Sequence, residues 1–356
     1  STVVALMQAQ SERAVKTFSI GFYEDGYNEA KHAKAVAHHL GTEHTELYVT
    51  SEEAMAVIPR LPTLWDEPFS DSSQIPTFLV SQLARQHVTV SLSGDGGDEL
   101  FAGYNRHFWG RRIWKNIGWM PGRWLMAKAL TSLSPQALLN KIGPLPQMGD
   151  KLQKLAEILA VESPEAMYKQ LSSHWKMPES LVINAKEPPT VISDKHQWAN
   201  VSDFTQRMMY LDLVTYLPDD ILVKVDRASM GVSLESRVPL LDHRLVEFAW
   251  SVPLSFNLRQ GKGKWLLRQV LYRYVPKELI ERPKMGFGIP IDEWLRGPLR
   301  DWAEALLNPA RLQREGFFNH APIQEKWLEH QTGKRNWHYY LWDVLMFQAW
   351  LETQCH

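Results

Sequence analysis

Cysteine is almost missing from this chain: the single one, Cys355, stands next to the last residue. Neither an internal disulfide nor a multi-cysteine metal site can be built from it, and such usage fits a reducing, cytoplasmic setting. An excess of charge of either sign is missing too, since 39 basic and 40 acidic side chains leave a formal charge of -1. A broad phosphate-tracking surface draws its affinity from clustered cations, so no nucleic-acid partner is expected. Long apolar runs are also lacking. None reaches the roughly 18–20 residues that cross a bilayer, and the first residues show no basic-then-apolar signal pattern. The expectation is a soluble protein with no membrane partner.

What is plentiful is material for a core. With 356 residues, 44% of them hydrophobic, the chain can bury one large core or two modest ones. Its 15 tryptophans include Trp109, Trp114, Trp119 and Trp124 in helical patterns, and these are read as core packing rather than a stacking surface. The 13 histidines, among them His38, His39 and His44, show no metal-ligand spacing.

Along the chain, Ser1 to Gln10 reads as a helix with no strand before it. Thr17 to Phe22 is β-prone, and a helical pattern from Asn28 to Leu40 stops at Gly41, a common helix terminator. Glu46 to Thr50 reads as a strand, Glu52 to Arg60 and Gln74 to His87 as helices, and Val88 to Ser93 as a further strand. Strands separated by crossover helices pair in parallel. The fold class expected is therefore α/β, a parallel doubly wound sheet followed by a largely helical C-terminal part. Its domains would be residues 1–110 and 111–356, the latter all-α and broken at Gly143-Pro144-Leu145-Pro146 and Glu187-Pro188-Pro189.

The most informative segment is Ser91-Leu92-Ser93-Gly94-Asp95-Gly96-Gly97-Asp98-Glu99-Leu100-Phe101-Ala102-Gly103-Tyr104. It follows a predicted strand, at the edge where open α/β sheets hold ligands. Glycines let a nucleotide approach the backbone, while Ser93 and free amides can bond its oxygens. Asp95, Asp98 and Glu99 would repel bare polyphosphate, so they call for a divalent cation, most naturally magnesium, or a proton-accepting role. An acidic surface turn is the alternative for such a loop taken alone. The acidic spacing does not fit a calcium loop of the helix-loop-helix kind.

This segment resembles the synthetase loop of the asparagine synthetase family, and further motifs follow in that family's order. They are Glu67-Pro68-Phe69-Ser70-Asp71, Tyr216 to Arg227, Leu234 to Asp242, Gly261-Lys262-Gly263-Lys264, and Arg282-Pro283-Lys284-Met285-Gly286-Phe287. The resemblance implies an ATP-pyrophosphatase domain that joins an aspartate side-chain carboxylate to the α-phosphorus of ATP, after which ammonia displaces AMP. It implies ATP and Mg2+ as cofactors, with aspartate and ammonia as reactants and a homodimer as one option for assembly. Carried over by motif, Ile20, Ser93, Gly94, Gly96 and Gly97 would hold the nucleotide and Asp98 the metal. Asp95 and Lys264 would be catalytic, and Glu99, Lys224 and Arg237 would face substrate. Read without the resemblance, Lys224, Asp226, Arg227 and Arg237 either line a cleft or form buried ion pairs, and the residues leave both open.

Two family features do not appear. A Ser-Gly-Gly-x-Asp-Ser loop is absent, with Ser1 to Leu6 resembling the helix that follows it, and so is a glutaminase part with an N-terminal cysteine. The resemblance then implies a trimmed chain or a degenerate relative, with negligible ATP-dependent amidation on its own. Its rivals are a relative acting on a sugar acid or closing a β-lactam, and a non-catalytic nucleotide-binding remnant.

Overall fold

The computed structural model describes residues 1–23, 29–132, 156–281 and 288–354. Asn28, the Gly143 to Pro146 break, the Arg282 to Phe287 motif and Cys355 lie outside the described residues. Two compact units are present: residues 1–103, 209–291 and 342–356 form one, and residues 104–208 and 292–341 the other.

In the first unit, α1 (Thr2–Ala9) precedes β1 (Lys16–Phe22), and α2 (Ala30–Leu40) carries the chain back to β2 (Glu43–Val49). The helix ends as its sequence suggests, with Gly41 in the left-handed region at φ 68°. β1 and β2 pair in parallel from Lys16↔Glu43 to Phe22↔Val49. His44 bridges the strands from β2, its ring nitrogens 2.8 Å from Thr17 Oγ1 and 3.1 Å from Ser19 Oγ. Thr50 then opens α3 (Ser51–Met55) with a capping box completed by Glu53, which satisfies two amides that a helix start leaves bare. A short 3-10 turn, Ile58–Thr63, follows, and α4 (Gln74–Arg85) buries Ile75, Phe78, Leu79 and Leu83.

β3 (Val90–Leu92) pairs in parallel not with β1 or β2 but with β4 (Glu235–Arg237). The sheet content is thus two parallel pairs within a mixed, helix-rich fold, and a continuous doubly wound sheet is not what the described strands form. β4 also corrects the expectation of an all-helical stretch beyond residue 111. Glu-Ser-Arg has no β-branched or aromatic side chain, so this strand exists because β3 offers it a ladder, not because its residues favour one.

Between them the chain passes through α5 (Gly97–Leu100) and returns by the helix Phe204–Leu211, which runs into an eleven-residue π-helix, Asp212–Leu222, and then the helix Val223–Met230. Pro218 sits inside the wide segment. It lacks an amide hydrogen and its ring crowds the carbonyl one turn back, which favours the looser i→i+5 winding there. Leu100 and Phe101 of the α5 region form a buried cluster with Ala249, and Leu213 and Leu241 pack against it.

The second unit holds α6 (Asn105–Ile117) and α7 (Arg123–Ser132), the helix Pro164–Ser172 and the helix His320–Gln331. α6 turns Gly110 toward Met208 and Met167, and its buried His107 accepts at its carbonyl the Thr205 hydroxyl, 2.9 Å away. The tryptophans do not all follow expectation: Trp109, Trp119 and Trp124 are 49%, 76% and 53% exposed. Among the described residues no helix is long and apolar enough to cross a membrane.

Candidate functional site

Just past β3, the Ser93 amide donates to the Arg237 carbonyl at 2.9 Å, so the strand pair itself fixes where the glycine loop starts. Gly94 is exposed, and a Cβ added there would meet nothing within 4 Å. Gly96 differs. It has φ 79°, and a Cβ would fall 2.4 Å from Leu241 Cδ2, while one on Gly97 would reach Leu240 Cδ1 at 3.0 Å. Those two glycines are buried for close packing under Leu240 and Leu241, whereas Gly94 alone of the three fronts open space. The Ser93 hydroxyl is buried and has no hydrogen-bond partner among the described residues. Such a group costs about 1–3 kcal/mol unless something bonds to it.

The Gly261–Lys264 turn comes against this loop from far along the chain. Lys264 heads the helix Trp265–Leu271, its amide donating to the Phe101 carbonyl at 2.8 Å and its Nζ to Asp98 Oδ2 at 2.7 Å. The approach leaves no spare room. A Cβ on Gly263 would lie 2.1 Å from the Ala102 carbonyl oxygen, and one on Gly103 would lie 2.0 Å from Asp98 Oδ1 and 2.3 Å from Lys264 Cε. Ala102 and Lys264 themselves hold φ of 54° and 55°. Left-handed backbone at non-glycine residues costs energy and persists where its surroundings over-determine it. Two such residues meeting at a lysine–aspartate pair mark a built constellation.

A model of the asparagine synthase family matches residues 1–352. The chain belongs to that family. It is 29% identical over 356 residues to asparagine synthetase [glutamine-hydrolyzing] 1 of Bacillus subtilis, covering 98% of this chain and 54% of that protein. A putative asparagine synthetase [glutamine-hydrolyzing] of Mycobacterium tuberculosis is 31% identical over 364 residues, with 98% and 52% covered. Amidase chyE of Penicillium rubens is 26% identical over 335 residues, with 87% and 49% covered. The chain spans about half the length of these curated relatives.

Within this chain, the residues singled out from sequence fall into distinct settings. Ser93, Gly94, Asp95 and Asp98 share one loop, and Lys264 joins them through Asp98. Arg237 contributes its carbonyl to that loop, but its side chain is exposed and bonds Glu235 at 2.6 Å. Ile20 is buried in the other strand pair. Glu99, 1% exposed, is buried in α5 rather than facing open space. Of the residues left between cleft and ion pair, Lys224 is a buried pair, while Arg227 bonds Asp66 on an exposed face.

That Lys224 pair belongs to a cluster the sequence motifs contained but did not pick out. Its Nζ lies 2.5 Å from Asp71 Oδ2, and Asp71 Oδ1 also takes the Ser73 amide and hydroxyl, each at 2.9 Å. Burial works against the Asp71 carboxylate, but the Lys224 ammonium and the Ser73 bonds outweigh it and hold the group below its ordinary range. Asp220, on the π-helix, goes the other way. Burial first and the Asp71 charge second push it up to about 7, against the pull of Lys224 and a bond to Tyr216. Two carboxylates beside one ammonium cannot both stay ionised cheaply, so Asp71 stays charged and Asp220 takes the proton. A signal existed: Asp71 two residues before Ser73 is a side-chain-to-backbone turn pattern.

Magnesium can be tested against these side chains. Among the described residues no three His, Cys, Asp or Glu side chains converge on one point. Magnesium does not require that, since it takes one or two carboxylates and fills its shell with phosphate oxygens and water. Asp98, partly exposed beside open Gly94, is a hard oxygen donor of that kind and fits the ion.

Proposed function

We propose that this site is the synthetase centre of an ATP-dependent amidotransferase, and that its acceptor is the side-chain carboxylate of aspartate. The observation carrying the reading is the Lys264–Asp98 pair at 2.7 Å, locked by two glycines beside a loop whose Ser93 hydroxyl lacks a partner. Family membership supports the reaction class, and the relatives' names support aspartate with glutamine as nitrogen source.

In this reading Ser93 and Gly94 receive the adenylate portion of ATP, with Ile20 forming the apolar wall for its base. Asp98 would hold magnesium, whose charge offsets that of the triphosphate. The acceptor carboxylate oxygen bonds to the α-phosphorus as the bond to pyrophosphate breaks. Lys264 carries positive charge to the place where negative charge gathers in that step. Ammonia then adds to the activated carbonyl carbon, AMP leaves with the bridging oxygen, and the amine proton passes to Asp95. The resemblance assigns Lys224, Arg237 and Glu99 to the acceptor side, which would require Arg237 to leave Glu235 and Lys224 to act from its pair with Asp71. The ammonia comes from glutamine through a part of the protein outside this chain.

The test is AMP formation by the full-length protein with ammonia, measured across aspartate, sugar acids and β-amino acids that can close to a lactam. AMP and asparagine formed together from aspartate are the expected result. Turnover with another acid alone would reassign the acceptor, and ATP bound without AMP formed from any acid would make the domain a nucleotide-binding module.

A further inference from the structure

A stretch of the second unit departs from the rest of the chain in charge and exposure. Between Tyr104 and Ala129 there are six cations, Arg106, Arg111, Arg112, Lys115, Arg123 and Lys128, and no carboxylate, in a chain whose formal charge is -1. The same stretch exposes Trp109, Trp119, Trp124, Leu125 and Met126, by 46% to 76%. Proteins seldom expose five large apolar side chains along one short stretch without a use for them. α6 and α7 form one surface here, since Arg123 of α7 lies over the Trp114 ring of α6 at 4.8 Å.

We propose that α6 and α7 form a docking surface for an anionic membrane. Tryptophan settles at the boundary between headgroup and acyl chain, with cations beside it meeting lipid phosphates. The arrangement matches: Arg112 lies 5.5 Å from the Trp109 ring centre and Lys128 4.9 Å from that of Trp124. Trp119, the most exposed ring, sits in the turn joining the two helices, with Leu125 and Met126 just beyond. Some charge is spent within the protein, because Arg111 pairs with Asp203 at 3.2 Å and Arg123 donates to the Glu162 carbonyl.

Single-stranded nucleic acid is the competing occupant, as it too seeks cations and aromatic rings. It would stack bases on open ring faces. Here cations already lie over Trp109, Trp114 and Trp124, and the exposed neighbours are aliphatic Leu125 and Met126, which offer bases no stacking face but suit acyl chains. With no described helix able to cross a bilayer, the contact is one of lying on the surface.

The test is co-sedimentation of the full chain with phosphatidylcholine vesicles, with and without phosphatidylglycerol. Binding should require the anionic lipid and weaken as salt is raised. Arg112→Glu with Lys115→Glu should lower partitioning at least about thirty-fold. Trp119→Ser with Trp124→Ser should weaken binding while leaving far-ultraviolet circular dichroism unchanged. Lys31→Glu, an exposed cation on α2, should leave binding intact. Equal binding to phosphatidylcholine alone, no binding to either vesicle, or loss of oligonucleotide rather than vesicle binding in these variants would overturn the proposal.

Discussion

Gly94 and Gly103 lie in one loop, and exchanging each for alanine should separate ligand space from structural space. At Gly94 the added methyl meets no protein atom within 4 Å, and the backbone is outside the left-handed region. Nothing in the folded chain resists it, and restricting the unfolded chain should leave stability unchanged or raised by about 0.4–1 kcal/mol. At Gly103 the methyl would lie 2.0 Å from Asp98 Oδ1 and 2.8 Å from Asp98 Cα, a backbone atom that cannot swing aside. Overfilling of this kind costs about 1–3 kcal/mol. Urea titration of the chain should therefore show a lower midpoint for Gly103→Ala and an equal or higher one for Gly94→Ala. Titration calorimetry with ATP should then show Gly94→Ala weakened at least about tenfold, near 1.4 kcal/mol, because its methyl takes up space assigned to the nucleotide. If Gly94→Ala binds ATP like the unsubstituted chain, no nucleotide passes that face. If Gly103→Ala keeps its urea midpoint, the close approach of the Lys264 turn is wrong.

Replacing Lys264 by methionine in the full-length protein should reduce AMP formation by about a hundredfold or more, with the urea midpoint barely moved because a partly exposed pair is worth at most about 1 kcal/mol; an active variant refutes the charge role. Lys224→Met should cost about 3–5 kcal/mol by stranding Asp71 beside Asp220, and adding Asp71→Asn should recover part of it; equal loss in single and double variants would argue against the pair. Asp220 holds its proton up to about 7 when folded, against an ordinary 3.8, so the folded state binds the extra proton and this group's stabilising share is lost as pH rises from 4 to 7. Asp220→Asn should remove that loss, and its advantage in urea midpoint over the unsubstituted chain should grow between pH 5 and pH 8. A shrinking advantage would reverse the assignment.

Much of the first hundred residues was legible because local chemistry and final structure agree there. Gly41 ends α2, α4 begins at Gln74, and β3 ends at the glycine loop, each where turn residues and hydrophobic period place it. Lys264 does meet Asp98 of the glycine loop, across 166 residues of sequence. What sequence could not convey depends on partners far along the chain. β4 has no propensity of its own, Gly96 and Gly97 are demanded by leucines about 145 residues on, and Glu99 is buried by what packs over α5. The Asp71–Lys224–Asp220 cluster needs the π-helix to bring it together. The tryptophans of α6 and α7 mislead for a related reason: helical spacing shows that rings share a face, not what that face meets.

The ladder between β3 and β4 also sets a timetable. Ser93 takes its place from a carbonyl at Arg237, so the glycine loop lacks that anchor until ribosomes have delivered the later residue. At typical elongation rates this is a wait of roughly seven to thirty seconds after Ser93 emerges. During it, β3 is a nascent edge with nothing to pair against, open to chaperones or to mispairing. Slowing translation across residues 94–236 should thus lower the yield of folded protein more than the same delay placed after Arg237.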